Sequence, residues 1–203
     1  MKKLFTSEMV CDGHPDKLCD QIADAILDDY LKHDKESRVA VEVLASYNKI
    51  FITGEVSSKY QSDIESIARS VIKEVGYDDI FIEVNINKQS EDIARGVNKD
   101  DIGAGDQGII FGYATDETEE YLPLSYVLAR NLAKRVKYVR NNILNYLRPD
   151  GKMQVTVEYK DDIPYRVDTI VISLQHDEID INKLRNDVIK EIIEINTNAI
   201  SLA

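Results

Sequence analysis

The order helix, strand hairpin, helix occurs twice along this chain, and that duplication limits the possible folds more than any single motif does. In the first pass, Leu18, Ile22, Ala25, Ile26 and Tyr30 recur at helical spacing after Asp12-Gly13-His14-Pro15-Asp16-Lys17, whose proline and acids suit a helix start. Two strand-like runs follow at 38–44 and 50–56, with Tyr47-Asn48-Lys49 as the hairpin turn. A second amphipathic helix carries Tyr60, Ile64, Ile67, Ala68, Val71, Ile72 and Val75 and stops at Gly76. Ile80, Ile82, Val84 and Ile86 then alternate as a closing strand.

In the second pass, Pro123 opens a helix whose buried face is Leu124, Val127, Leu128, Leu132, Val136 and Val139. Met153, Val155, Val157 and Tyr159 alternate, Asp161-Asp162-Ile163-Pro164 turns the chain back, and residues 165–174 form the return strand. A last helix over 181–195 uses Ile181, Leu184, Val188, Ile192 and Ile195. No strand follows it, so the second unit is expected to lack its closing strand and to leave a sheet edge open for one from elsewhere. The expected fold is α/β in two layers, with units at 1–101 and 102–203.

A chain of 203 residues with 43% apolar content has enough material for two cores. Its formal charge of -12 speaks against nucleic acid or an anionic membrane as partner, since either needs clustered Lys and Arg. A polyanionic ligand would have to arrive with metal cations or meet basic groups supplied elsewhere. No apolar run approaches the roughly 20 residues of a membrane span, and Met1-Lys2-Lys3-Leu4-Phe5 meets Ser7 and Glu8 too soon for a signal peptide. The expectation is a cytoplasmic protein in which Cys11 and Cys19, forming no C-x-x-C pattern, are reduced thiols.

Gly103-Ala104-Gly105-Asp106-Gln107-Gly108 matches the G-x-G-x-x-G spacing of dinucleotide sites, but its context is wrong for one. A dinucleotide loop follows a buried strand and opens a helix. This one follows the polar run Val97-Asn98-Lys99-Asp100-Asp101 and enters the β-rich Gly108-Ile109-Ile110-Phe111-Gly112-Tyr113, read as a strand. The polar stretch 87–102 before it is long for a connection inside a compact domain, a length typical of either a lid or a disordered segment. In the first hairpin, parity matters: with an even number of loop residues, Glu42 and Glu55 emerge on one face of the sheet. Glu42 lies with Ala40 and Leu44, an apolar face on which a carboxylate calls for a partner such as a cation. His14 and Asp16 flank a helix start, where phosphates are favoured and Asp16 offers a hard oxygen to Mg²⁺. The acidic run 116–120 reads as a solvated loop, and His33 and His176 are given no role.

Gly13-His14-Pro15-Asp16-Lys17 together with Gly103-Ala104-Gly105-Asp106-Gln107-Gly108-Ile109-Ile110-Phe111-Gly112-Tyr113-Ala114 resembles the methionine adenosyltransferases, or S-adenosylmethionine synthetases. Leu4-Phe5-Thr6-Ser7-Glu8, Thr53-Gly54-Glu55, Lys88-Gln89-Ser90, Leu147-Arg148-Pro149-Asp150-Gly151-Lys152 and Ser173-Leu174-Gln175-His176 extend the likeness over the whole chain, which corresponds to about the first half of the family's length. The resemblance implies repeated β-α-β-β-α-β units and synthesis of S-adenosylmethionine from ATP and L-methionine with Mg²⁺ and K⁺. It implies that His14, Asp150 and Lys152 meet ATP, that Glu55, Gln89 and Asp106 hold methionine, that Asp16 binds Mg²⁺ and that Glu42 binds K⁺. Residues 89–101 look like the family's mobile gate, and the family's active sites form between subunits of an oligomer.

The basic residues with which that family clamps the triphosphate belong to the part of its length not matched here. Unscreened by them, a tetra-anion beside Asp16 and Glu42 meets repulsion of roughly 4 kcal/mol per charge pair at 4 Å in an intermediate dielectric. The sequence therefore reads as the amino-terminal part of a synthetase, with no activity of its own, completed by a second polypeptide. The alternative is a non-catalytic paralogue that binds and regulates a full-length synthetase.

Overall fold

The computed structural model describes residues 2–88 and 107–197. The chain runs β1 (Lys2–Val10), α1 (Pro15–His33), β2 (Arg38–Ser46), β3 (Lys49–Ser57), α2 (Ile64–Val75), β4 (Phe81–Lys88), α3 (Leu124–Asn142), β5 (Leu147–Lys160), β6 (Ile163–His176), α4 (Ile181–Val188), a π turn (Ile189–Ile193) and α5 (Glu194–Thr197). These form two compact units, Pro15–Phe111 and Met1–His14 with Gly112–Ala203.

In the first unit, four-residue spacing sets Leu18, Ile22, Ile26 and Tyr30 on one side of α1, and all four are buried. They share a core with Ile64, Ala68, Ile72 and Val75 of α2 and with Ile50, Ile52, Val56 and Ile82 of the sheet β2-β3-β4. Helix α2 is closed at both ends by its own sequence. The Asp63 side chain accepts from the Ser66 N–H (3.2 Å), and Gly76, left-handed at φ 103°, donates its N–H to the carbonyls of Ile72 and Lys73. Strands β2 and β3 are antiparallel, with Ser46 opposite Lys49 across the two-residue loop Tyr47-Asn48, while β4 runs parallel to β3 after the α2 crossover.

In the second unit the strand order is β1-β5-β6, every pair antiparallel. Met153, Val155, Val157 and Tyr159 point from β5 into a core completed by Leu124, Leu128, Leu132, Val136 and Val139 of α3. Ser7 of β1 meets buried Ser125 of α3 hydroxyl to hydroxyl at 2.8 Å, so neither polar group is left unsatisfied in that interface. Asp161 and Asp162, with φ of 51° and 66°, form the two-residue turn into β6, a geometry in keeping with strand twist. The last helical segment buries Leu184 and Ile192 but leaves Ile181 and Ile195 about half exposed, narrower than the stripe expected from sequence. Within its π turn, the Glu191 carbonyl accepts from Arg135 Nε (2.7 Å) on α3, which anchors the bulge.

Three features depart from the sequence reading. The strand expected at 108–113 is not one: residues 107–114 form no sheet, because no strand pairs with them among the described residues. Strand β1 escapes the periodicity reading, since Leu4 and Phe5 are both half exposed and no apolar alternation marks it; only the β-α-β-β-α-β order implied by the resemblance puts a strand before α1. It precedes α1 in the chain yet pairs along its whole length with β5, and so belongs to the compact unit of Met1–His14 with Gly112–Ala203.

The third departure is in the acidic run 116–120, which is not simply solvated. Glu117 accepts from the Leu124 N–H (3.0 Å), the Tyr159 hydroxyl (2.6 Å) and the Thr115 hydroxyl (3.1 Å). Pro123 brings no side-chain cap, so Glu117 satisfies the start of α3 from outside the helix. Burial, and then the Glu117 carboxylate, push the Tyr159 phenol well above its ordinary range, which keeps it the donor in that pair. No described helix is long and apolar enough to cross a membrane. Both cysteines are free, Cys11 buried and Cys19 partly so.

Candidate active site

Beyond the end of β1 the chain stays alongside β5. The Cys11 N–H donates to the Gly151 carbonyl (2.8 Å), the Gly13 N–H to the Pro149 carbonyl (3.2 Å), and the His14 N–H turns back to the Cys11 carbonyl (3.1 Å). This approach is so close that a Cβ built on Gly13 would lie 2.7 Å from the Pro149 carbonyl carbon and 2.9 Å from its oxygen. The result is a depression of about 400 Å³ lined by His14, Asp150, Gly151, Lys152, Ser173, Leu174 and Gln175. The three residues to which the resemblance assigns ATP thus come together, from a loop and one strand, although 136 positions separate His14 from Asp150 in the sequence (150 minus 14).

The depression carries little net positive charge. Lys152 Nζ lies 3.3 Å from Glu8 Oε1, an exposed pair across β1 and β5, and Asp150 contributes a second carboxylate. Arg148 turns to Asp177 through two bonds of 2.7 and 2.6 Å. Ser173 and Gln175, given no role from sequence, line the wall from β6. Register accounts for Ser173, which sits opposite Lys152, and the Gln175 Oε1 accepts from the Asp150 N–H at 3.4 Å. Gly13→Ala is expected to cost about 1–3 kcal/mol of stability, the range for overpacking, and to shift the His14 ring resonances in an NMR spectrum. Unchanged stability and spectra would mean that the close approach to Pro149 does not hold this loop.

The parity condition in the first unit is met. Two loop residues separate β2 from β3, Glu42 sits opposite Thr53 and Glu55 opposite Ala40, so both carboxylates share a face as diagonal neighbours. That face is the outer one, away from α1 and α2, with Leu44 65% exposed. Glu42 is exposed on that face, and Glu55 is the more enclosed of the two. Asp16 stands exposed in the first turn of α1. Gln89, Asp106 and the gate-like stretch 89–101 lie outside the described residues.

Among the described residues no three His, Cys, Asp or Glu side chains gather in a way that would hold a metal ion. An exposed carboxylate such as Asp16 still fits Mg²⁺, which takes one or two protein carboxylates and fills its remaining positions with water and phosphate. Glu42 alone is a sparser offer to K⁺, and Glu55 on the same face is the nearest addition by register.

Two family models match this chain. Residues 2–100 match the N-terminal domain of S-adenosylmethionine synthetase, and residues 101–202 match its central domain. This chain belongs to the S-adenosylmethionine synthetase family. It is 48% identical over 217 aligned positions to the S-adenosylmethionine synthase of Finegoldia magna, covering 95% of this chain and 55% of that protein. The synthetase-family chain therefore spans about half the length of the relative it matches.

Proposed function

We propose that this chain is the amino-terminal part of an S-adenosylmethionine synthetase that joins ATP and L-methionine once a second polypeptide supplies the remaining part of the site. The reading rests chiefly on the depression that gathers His14, Asp150 and Lys152, in a chain matched by two of the family's domains. In the reaction, the methionine sulfur attacks the ribose C5′ of ATP, the C5′–O bond breaks, and triphosphate leaves with the electron pair. A thioether needs no general base, so this chain's residues act by position and charge.

His14 donates to the departing phosphate chain from its place before α1, while Asp150 and Lys152 orient the nucleotide. Glu55, Gln89 and Asp106 take the methionine, whose ammonium group and nascent sulfonium favour carboxylates. Asp16 holds Mg²⁺, which when bound offsets phosphate charge, and Glu42 holds K⁺. With one lysine in the depression, already beside Glu8, the chain has too little positive charge to retain a triphosphate alone. The assembly is an oligomer in the cytoplasm, in keeping with the family resemblance.

The deciding experiment mixes the purified chain with a recombinant polypeptide equivalent to the carboxy-terminal part of the Finegoldia magna synthase. S-adenosylmethionine should form from ATP, methionine, Mg²⁺ and K⁺ in the mixture and not with this chain alone. Calorimetry should detect no binding of Mg²⁺-ATP to the isolated chain. Tight nucleotide binding without a companion, or no product from the mixture, overturns the proposal.

A further inference from the structure

The first residues of β5 break the register that the rest of the strand keeps with β6. Leu147 lies opposite His176 and Gly151 opposite Leu174, so Arg148, Pro149 and Asp150 share the space of a single β6 residue, Gln175. A strand with surplus residues bends where they are inserted, and such bulges re-aim side chains beside functional sites. The surplus here is two residues, three against one. Because that number is even, Leu147, Pro149 and Gly151 all stay buried, and Asp150 keeps to the face that carries Lys152. Pro149 suits the position, having no N–H to give to a ladder.

Bonds from three directions hold the bulge. The Pro149 carbonyl accepts from the Gly13 N–H (3.2 Å), which sets the bulge against the loop of His14. Gln175 Oε1 accepts from the Asp150 N–H at 3.4 Å. At the base stands Asp177, bonded through both backbone and side chain. Its N–H donates to the Tyr146 carbonyl (2.9 Å) just before β5, and its carboxylate accepts from Arg148 Nε (2.7 Å) and Nη2 (2.6 Å). A guanidinium fork on a carboxylate fixes direction as well as distance. Asp177 itself does not line the depression.

We infer that Asp177 is a positioning residue for the nucleotide: by clamping Arg148 it holds the bulge so that Asp150 faces the same depression as His14 and Lys152. Its role rests on the proposed synthetase reaction, to which it adds a residue acting only through Arg148 and Asp150.

The test is steady-state kinetics of the completed enzyme, this chain with the recombinant carboxy-terminal part of the Finegoldia magna synthase, for Arg148→Ala, Asp177→Ala and the double variant. With Asp177→Ala, kcat/KM for ATP should fall about tenfold, since a misdirected Asp150 orients the nucleotide poorly, while KM for methionine at saturating ATP stays within about twofold. Both partners of the clamp are about half exposed, so the variant should melt within about five degrees of the native chain. Arg148→Ala should match it, and the double variant should lose no more than either alone, as two groups acting as one require. In the NMR spectrum of this chain alone, the Asp150 and His14 amide signals should move with Asp177→Ala. Unchanged ATP kinetics in that variant, with a native pair that turns over, overturns the positioning role and leaves the synthetase reading standing. A far larger loss with Arg148→Ala than with Asp177→Ala makes Arg148 a phosphate ligand in its own right and also overturns it. Equal losses toward ATP and methionine, with a lower melting temperature, mean that the clamp only stabilises the fold. No product from the native pair overturns the synthetase reading, and the role of Asp177 with it.

Discussion

Gly54→Ala should remove most of the stability of the Pro15–Phe111 unit, by roughly 3–5 kcal/mol, placing it in the tail of single-residue effects. Two independent constraints meet at this residue. Its φ of +150° is backbone that side chains avoid, and a Cβ built there overlaps the carbonyl oxygen of Ala40, with Val41 Cα at 2.9 Å and the Ala40 carbonyl carbon at 3.0 Å. All three obstacles are backbone atoms of β2, so no rotamer change relieves them. The strands would have to part where β3 is held between β2 and β4. For a unit of this size each 1 kcal/mol lowers the melting temperature by about 4–8 °C, so the variant should melt at least ten degrees or so lower by circular dichroism. A shift of only one or two degrees would show that β2 and β3 can separate at little cost. The same glycine explains why Thr53 and Glu55 stand where they do, since a slip of one residue would turn Glu55 into the core.

Much of this was legible in the sequence because local chemistry and burial agree. Helices α1, α2 and α3 follow from apolar spacing, Gly76 stops α2 at the expected place, and the shared face of Glu42 and Glu55 follows once the structure shows the loop to have two residues. What escaped depends on partners distant in the chain. Strand β1 is a strand because β5 lies beside it, and its exposed Leu4 and Phe5 supply no alternation. The run 108–113 has a strand's composition without a partner among the described residues, and composition alone cannot supply one. Glu117 looked like one acid among several until Tyr159 and Leu124 came within bonding distance. The depression at His14 also depends on a long-range contact, in which Gly13 leans on Pro149 across the chain. Motif resemblance identified its residues; periodicity could not have brought them together.

Asp16→Ala should reduce S-adenosylmethionine formation by the completed enzyme at least about 100-fold, the scale seen when one group stabilising a developing oxyanion is removed. The same change should hardly affect folding. Asp16 is exposed in the first turn of α1, where a carboxylate gains about 0.3–1 kcal/mol from the helix dipole. A 100-fold loss of rate corresponds to about 2.7 kcal/mol of transition-state stabilisation, so the two effects are separable by magnitude as well as by assay. Asp16→Asn keeps the volume and discards the charge, and it should lose nearly as much activity as the alanine variant. Partial recovery of either variant at high Mg²⁺ would locate the defect in metal affinity. Undiminished product from the Asp16→Ala chain with its companion would mean that this carboxylate holds no catalytic metal. That result would favour the chain as a regulator of a synthetase whose chemistry lies elsewhere.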